Sequence, residues 1–204
     1  VHASALLAAL ALAPALLASH PSQRREINAN VDGDRALERV IAVENVSRDH
    51  SVWRASVQIV DRCGGRNRSH VVAAGFPRLG DAKAVQADGR GANEVLGVVY
   101  DRSARDGIAR LVRLVPRAGR CPVPRTLFRY VAAASDAPAD GGELVQFTID
   151  VVELDSRHAG RELRVTELFQ TPAESSSVHR ETLYRFVRAR DAYVVYATNT
   201  HDVP

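Results

Sequence analysis

The stretch 28–45, NANVDGDRALERVIAVEN, joins a glycine-centred run of oxygen-bearing side chains to a short apolar run. Asn30, Asp32, Asp34 and Glu38 sit around Gly33. A loop of this kind collects hard oxygen donors around a cation, or closes a turn through side-chain to backbone hydrogen bonds. The run 39–44 that follows reads as a β-strand, rich in Val and Ile and bounded by turn residues.

The same arrangement recurs twice. With Glu38 as anchor, VQADGRGANEVLGVVYD (85–101) places Glu94 at the matching position, and VVELDSRHAGRELRVTELF (151–169) places Glu162 there. The anchors lie 56 and 68 positions apart, and AASDAPADGGE (133–143) is a Pro- and Gly-rich insertion that accounts for the longer second spacing. Behind each anchor come three strands in one order: 39–44, 95–100 and 163–169; then 52–60, 108–115 and 181–187; then 70–76, 127–133 and 192–198. A further strand precedes each anchor, near 26–30, 82–87 and 144–152. The expected fold is therefore all-β, with three repeated four-stranded units at about 24–79, 80–140 and 141–204. Units of this kind stack on their neighbours, which predicts a propeller-like architecture; three units fall below the usual four to eight, and a β-sandwich is the alternative.

The two cysteines fit the same frame. Cys63 and Cys121 each fall just past the second strand behind an anchor, at equivalent corners of adjacent units, so a disulfide between them is expected. Neither has a C-x-x-C partner or a histidine pair at zinc spacing. In SVWRASVQIV (51–60), alternation puts Trp53, Ala55, Val57 and Ile59 on the face expected to be core.

The first residues, VHASALLAALALAPALLASHPSQ, contain an apolar run too short to span a membrane. Residues 1–20 read as a signal peptide, so the remainder is expected to be one exported, secreted domain. The absence of Met and the single Lys (Lys83) against 26 Arg suggest a GC-rich bacterial coding sequence. That bias also explains the pI near 9.2: Arg is interleaved with Asp and Glu to leave a net charge of +3, without the dense basic stripe of a nucleic-acid binder. NVS at Asn45 and NRS at Asn67 match the glycosylation acceptor, an accidental match in a bacterial chain.

A strand, then NVDGDRALE, then an apolar strand resembles the FG-GAP and VCBS-type repeats of integrin-like β-propellers; AAGFPRLGD (73–81) is similar to the segment between that family's blades. The resemblance covers 27–45 best, 83–101 less well and 150–170 thinly. It implies a calcium loop in which Asn30, Asp32, Asp34 and Glu38 supply side-chain oxygens and Ala36 a peptide oxygen. Two departures bear on that implication: Arg35 stands where the family has a glycine, and Asn30 where it has a carboxylate. In the second unit the same places hold Gln86, Asp88, Arg90 and Glu94, and a guanidinium at Arg90 repels a cation. The third, with Leu154, Asp155 and Ser156, retains almost no ligand set.

Catalytic signatures are absent: the chain has no G-x-S-x-G, H-E-x-x-H or G-x-x-x-x-G-K. Asp155 with His158 is the pair best placed for general-base work, although a solvated turn explains it as well. Two functions follow from different classes. One is an exported module that binds an extracellular protein or glycan, with calcium as an optional rigidifier; the other is an extracellular hydrolase with a loop-built site. An enzyme should gather perturbed acids or a histidine into one pocket, whereas a module should present broad faces.

Overall fold

The computed structural model describes residues 20–47, 53–103, 105–133, 143–154, 160–170 and 177–203. These form twelve strands: β1 (His20–Ala29), β2 (Glu38–Val46), β3 (Trp53–Cys63), β4 (Arg66–Ala74), β5 (Arg78–Val85), β6 (Glu94–Tyr100), β7 (Gly107–Arg117), β8 (Arg120–Ala132), β9 (Glu143–Val152), β10 (Glu162–Gln170), β11 (Ser177–Val187) and β12 (Ala192–Val203). They pair into three four-stranded sheets, β1-β2-β3-β4, β5-β6-β7-β8 and β9-β10-β11-β12, antiparallel throughout. Neighbours in each sheet are neighbours in sequence. The repeat of four strands is therefore present, and Glu38, Glu94 and Glu162 each open the second strand of their sheet. The first sheet ends at Ala74 and the second begins at Arg78, so Arg78 and Leu79 belong to the second unit.

The sheets pack face to face in chain order. Val40, Ala42, Ala55, Val57 and Ile59 of the first share a core with Val95, Val99, Ile108 and Val112 of the second. The opposite face of the second, through Leu96, Val98, Ala109 and Leu111, packs on Leu144, Phe147, Leu163, Val165 and Phe169 of the third. Burial on both faces explains why EVLGVVY is almost continuously apolar, while β2 and β3 alternate. The residues expected with Trp53 in the core are buried, but Trp53 itself is half-buried at the start of β3, with the Arg78 guanidinium 5.5 Å from its ring centroid. An indole at a strand end can shed water on one side only, and a cation over its face covers part of the other.

The two joints use different chemistry. Between the first and second sheets the side chains are small aliphatics, and Gly97 lets the sheets approach: a Cβ there would sit 3.0 Å from Val57 Cβ and Val72 Cγ1. Gly97→Ala should cost about 2 kcal/mol by overpacking, seen as a lower urea midpoint at unchanged slope. Between the second and third sheets the filling is aromatic, with Phe128 against Tyr184 and Tyr193 at centroid distances of 4.9 and 6.3 Å. Here the joint also carries an ionic clasp. Asp191, at φ 50° in the β11–β12 turn, reaches Arg113 and Arg125 of the second sheet and Arg90 of its β5–β6 loop at 2.7, 2.7 and 3.0 Å.

Cys63 and Cys121 are bridged, with their α-carbons 5.6 Å apart, so the expected disulfide locks the first sheet to the second. Such bonds persist in oxidising compartments. Among the described residues no helix is long and apolar enough to cross a membrane. The signal-peptide reading of residues 1–20 falls almost wholly outside the described residues, as do Asp155, Ser156, His158 and nearly all of the 133–143 insertion.

Candidate functional site

The β1–β2 loop is shaped by its own side chains. Asn30 Oδ1 accepts the Gly33 N–H at 2.7 Å, Asp32 Oδ1 the Asp34 N–H at 2.9 Å, and Asp34 Oδ1 the Ala36 N–H at 2.5 Å. Asn30 Nδ2 donates to the Asp34 carbonyl. Gly33 takes φ 85°, which spares the loop the strain that a side chain would bring, so the sharp turn is made there and not at Arg35. As a result Asp32, Asp34 and Glu38 each bring a carboxylate oxygen within 4.8 Å of the others, a group able to hold a metal ion. Ala36 lines the same hollow of about 250 Å³. Asn30, by contrast, has both ends of its amide engaged by the loop's own backbone.

Glu38 has a second role that spacing alone does not disclose. It is buried, and its Oε2 accepts the Val31 N–H at 2.6 Å, pinning the start of the loop. Glu94 does the same for Ala87 at 2.7 Å and Asp88 at 3.3 Å, and Glu162 for Leu154 at 3.2 Å. A bond repeated in all three units belongs to the architecture of the unit. Burial, reinforced by the Asp32 charge, raises the Glu38 pKa against the pull of the Val31 hydrogen bond. A cation beside it would reverse that balance.

In the second loop guanidinium groups face the buried acid. Asp88 is fully buried; its Oδ1 accepts the Arg90 N–H at 2.9 Å, and its Oδ2 meets Arg113 at 2.7 Å. Gln86 donates to the Gly91 carbonyl, so it too serves the turn. Glu94, beside Asp88, is pushed up to about 7, first by burial and then by the neighbouring carboxylate; its Oε1 has no hydrogen-bond partner. The cleft of about 540 Å³ between the first and second loops brings Glu94 and Asp88 together with Arg90, Arg113 and Asp32. Among the described residues this is the most strongly perturbed acid, yet its position in the repeat and its bonds to backbone N–H groups give it a structural task. In the third unit the Glu162 carboxylate lies 3.5 Å from Arg185.

One acid near the first loop has no signature in sequence. Asp61, buried near the end of β3, lines the same hollow as Asp32, Asp34 and Glu38; its Oδ1 lies 3.2 Å from His70 Nε2, and its Oδ2 has no hydrogen-bond partner. Pairing of β3 with β2 brings it to the anchor end of the sheet, 23 positions after Glu38. Alternation in SVWRASVQIVD marks it as inward-facing, which is the one signal that would have found it. No protein-family model matches the chain, and neither a curated protein nor a solved structure is similar to it.

Proposed function

We propose that this protein is an exported, repeat-built β module of the FG-GAP/VCBS kind that binds an extracellular protein or glycan, and that the loop Asn30–Glu38 is a weak calcium site stiffening one end of it. The observation that carries the reading is the contrast between equivalent loops. The first assembles three carboxylates, whereas the second spends its buried acid on Arg113 and Arg90. Asp32, Asp34 and Glu38, with the Ala36 carbonyl and the Asn30 amide oxygen, supply about five donors, so water or a bidentate carboxylate would complete the 6–8 that calcium prefers. Asn30, Asp32, Asp34 and Glu38 each already give one oxygen to a backbone N–H group, and binding must compete with those bonds. A dissociation constant on the order of 10⁻⁴ to 10⁻³ M is expected.

Calorimetric titration with calcium, run beside the Asp32→Ala, Asp34→Ala double variant, tests this reading. One site present in the parent and lost in the variant supports it. No heat and no calcium-dependent rise in melting temperature would leave the loop a turn held by its own side chains.

A further inference from the structure

Each anchor glutamate faces one residue of the third strand of its sheet, and that residue changes sign between units. Arg39 pairs with Val60, Val95 with Val112 and Leu163 with Tyr184. One step further along the same registers, Glu38 stands opposite Asp61, Glu94 opposite Arg113 and Glu162 opposite Arg185. Arg113 lies 2.7 Å from Asp88, the loop acid beside Glu94, and Arg185 lies 3.5 Å from Glu162. The second and third units thus carry a positive charge of their own at the anchor. The first carries an acid in that place.

Negative charge therefore gathers at the first anchor. Glu38 and Asp61 are 4% and 3% exposed and line one hollow with Asp32 and Asp34. Like charges directly opposite each other on a sheet repel, and burial strengthens the repulsion. Arg62, Arg117 and Arg120 line the hollow too, but they are exposed, where solvent and salt screen them. Asp61 is also oriented. His70 Nε2 lies 3.2 Å from its Oδ1, while its Oδ2 is buried without a hydrogen-bond partner. A buried carboxylate held by one oxygen, with the other unsatisfied, is poised to serve a bound ion. Cys63, two positions on, lines the same hollow, so the bridge to Cys121 fixes this end of β3.

We propose that Asp61 completes the calcium site of the first loop, the ion supplying the positive charge that Arg113 and Arg185 supply in the other units. This rests on the calcium reading of that loop and adds to it a carboxylate from a different strand. Asp61 lies outside the group in which Asp32, Asp34 and Glu38 come within 4.8 Å of one another. It therefore meets the ion across one of the waters that fill the shell, as one position of calcium loops commonly does. The ion would tie the β1–β2 loop to β3 at the corner where the first sheet meets the β7–β8 turn.

Calorimetric titration with calcium chloride and melting with calcium or with chelator, on the parent, Asp61→Asn and Asp61→Arg, test this. Asparagine keeps the shape and removes the charge, so calcium should bind roughly 10–100-fold more weakly and raise the melting temperature less than in the parent. In chelator the same variant should melt no lower than the parent, because an uncompensated buried charge is gone. Asp61→Arg gives the first unit the sign of the other two; it should bind no calcium and melt above the parent in chelator. Both variants should keep the parent's circular dichroism. A calcium response unchanged in Asp61→Asn but lost in the Asp32→Ala, Asp34→Ala variant would overturn the proposal and leave the loop reading standing. Asp61→Asn melting lower in chelator with an unchanged calcium increment would make Asp61 only the partner of His70. A parent without any calcium response would overturn both readings.

Discussion

Replacing Cys63 and Cys121 by serine should lower the unfolding free energy by about 4 kcal/mol, the loop-closure value for a bond spanning a sequence separation of 58 residues. The bond is the only covalent tie between sheets among the described residues, and it joins corresponding corners of β3 and β8. Without it the first sheet is held to the second by the packing of small side chains and by polar contacts such as those of Glu44 with Arg78 and Leu79. Urea denaturation of the parent and the double variant under non-reducing conditions measures the difference. A change below about 1 kcal/mol would mean that the unfolded chain is already compact around this segment. Free-thiol titration of the denatured, unreduced parent should find none.

Glu94→Gln should make the protein less sensitive to rising pH. The fold raises the Glu94 pKa from 4.5 to about 7, so it favours the neutral acid. A group raised in this way contributes its stability in full below about pH 4.5 and loses it as pH climbs through 7. The loss is on the order of 3 kcal/mol, or roughly 6–12 °C in melting temperature for a chain of this size. Glutamine keeps an oxygen for the Ala87 and Asp88 N–H groups, but it cannot ionise. Glu38, raised for the same reason, contributes a slope of the same sign that persists in the variant. Thermal melts from pH 4 to pH 8.5 should show the variant overtaking the parent as the pH rises. Parallel curves would mean that water reaches Glu94 and shields its charge.

The strands were legible in sequence because their period is strong and their punctuation regular. Superposing Glu38, Glu94 and Glu162 located all twelve, and the equivalent placement of the cysteines behind two of the anchors paired them. The role of the anchors was harder to read. A glutamate that opens a strand after an Asp- and Gly-rich loop has the same letters whether its carboxylate meets a cation or an N–H group, and only burial separates the two. Asp191 was invisible for another reason: its partner Arg113 lies 78 positions away, and no periodicity links a turn of one sheet to a strand of its neighbour. Asp61 was hidden by an apolar strand in which one acid looks like an ordinary strand end. The 0% exposure of Asp88 likewise depends on Arg113, which sequence proximity does not suggest.

The bridge between the first two sheets also bears on how the protein would carry tension. A chain gripped at both ends would unravel the third sheet first, because among the described residues no cross-link ties it to its neighbour, only the Asp191 ion pairs, the aromatic packing and the Arg161 to Ala87 backbone hydrogen bond. The residues between Cys63 and Cys121 would stay slack behind the sulfur bond, withholding roughly 200 Å of extensible chain from the pulling force. Reduction would release that length at once. In this respect the disulfide sets how far the molecule can be drawn out before a covalent bond bears the load.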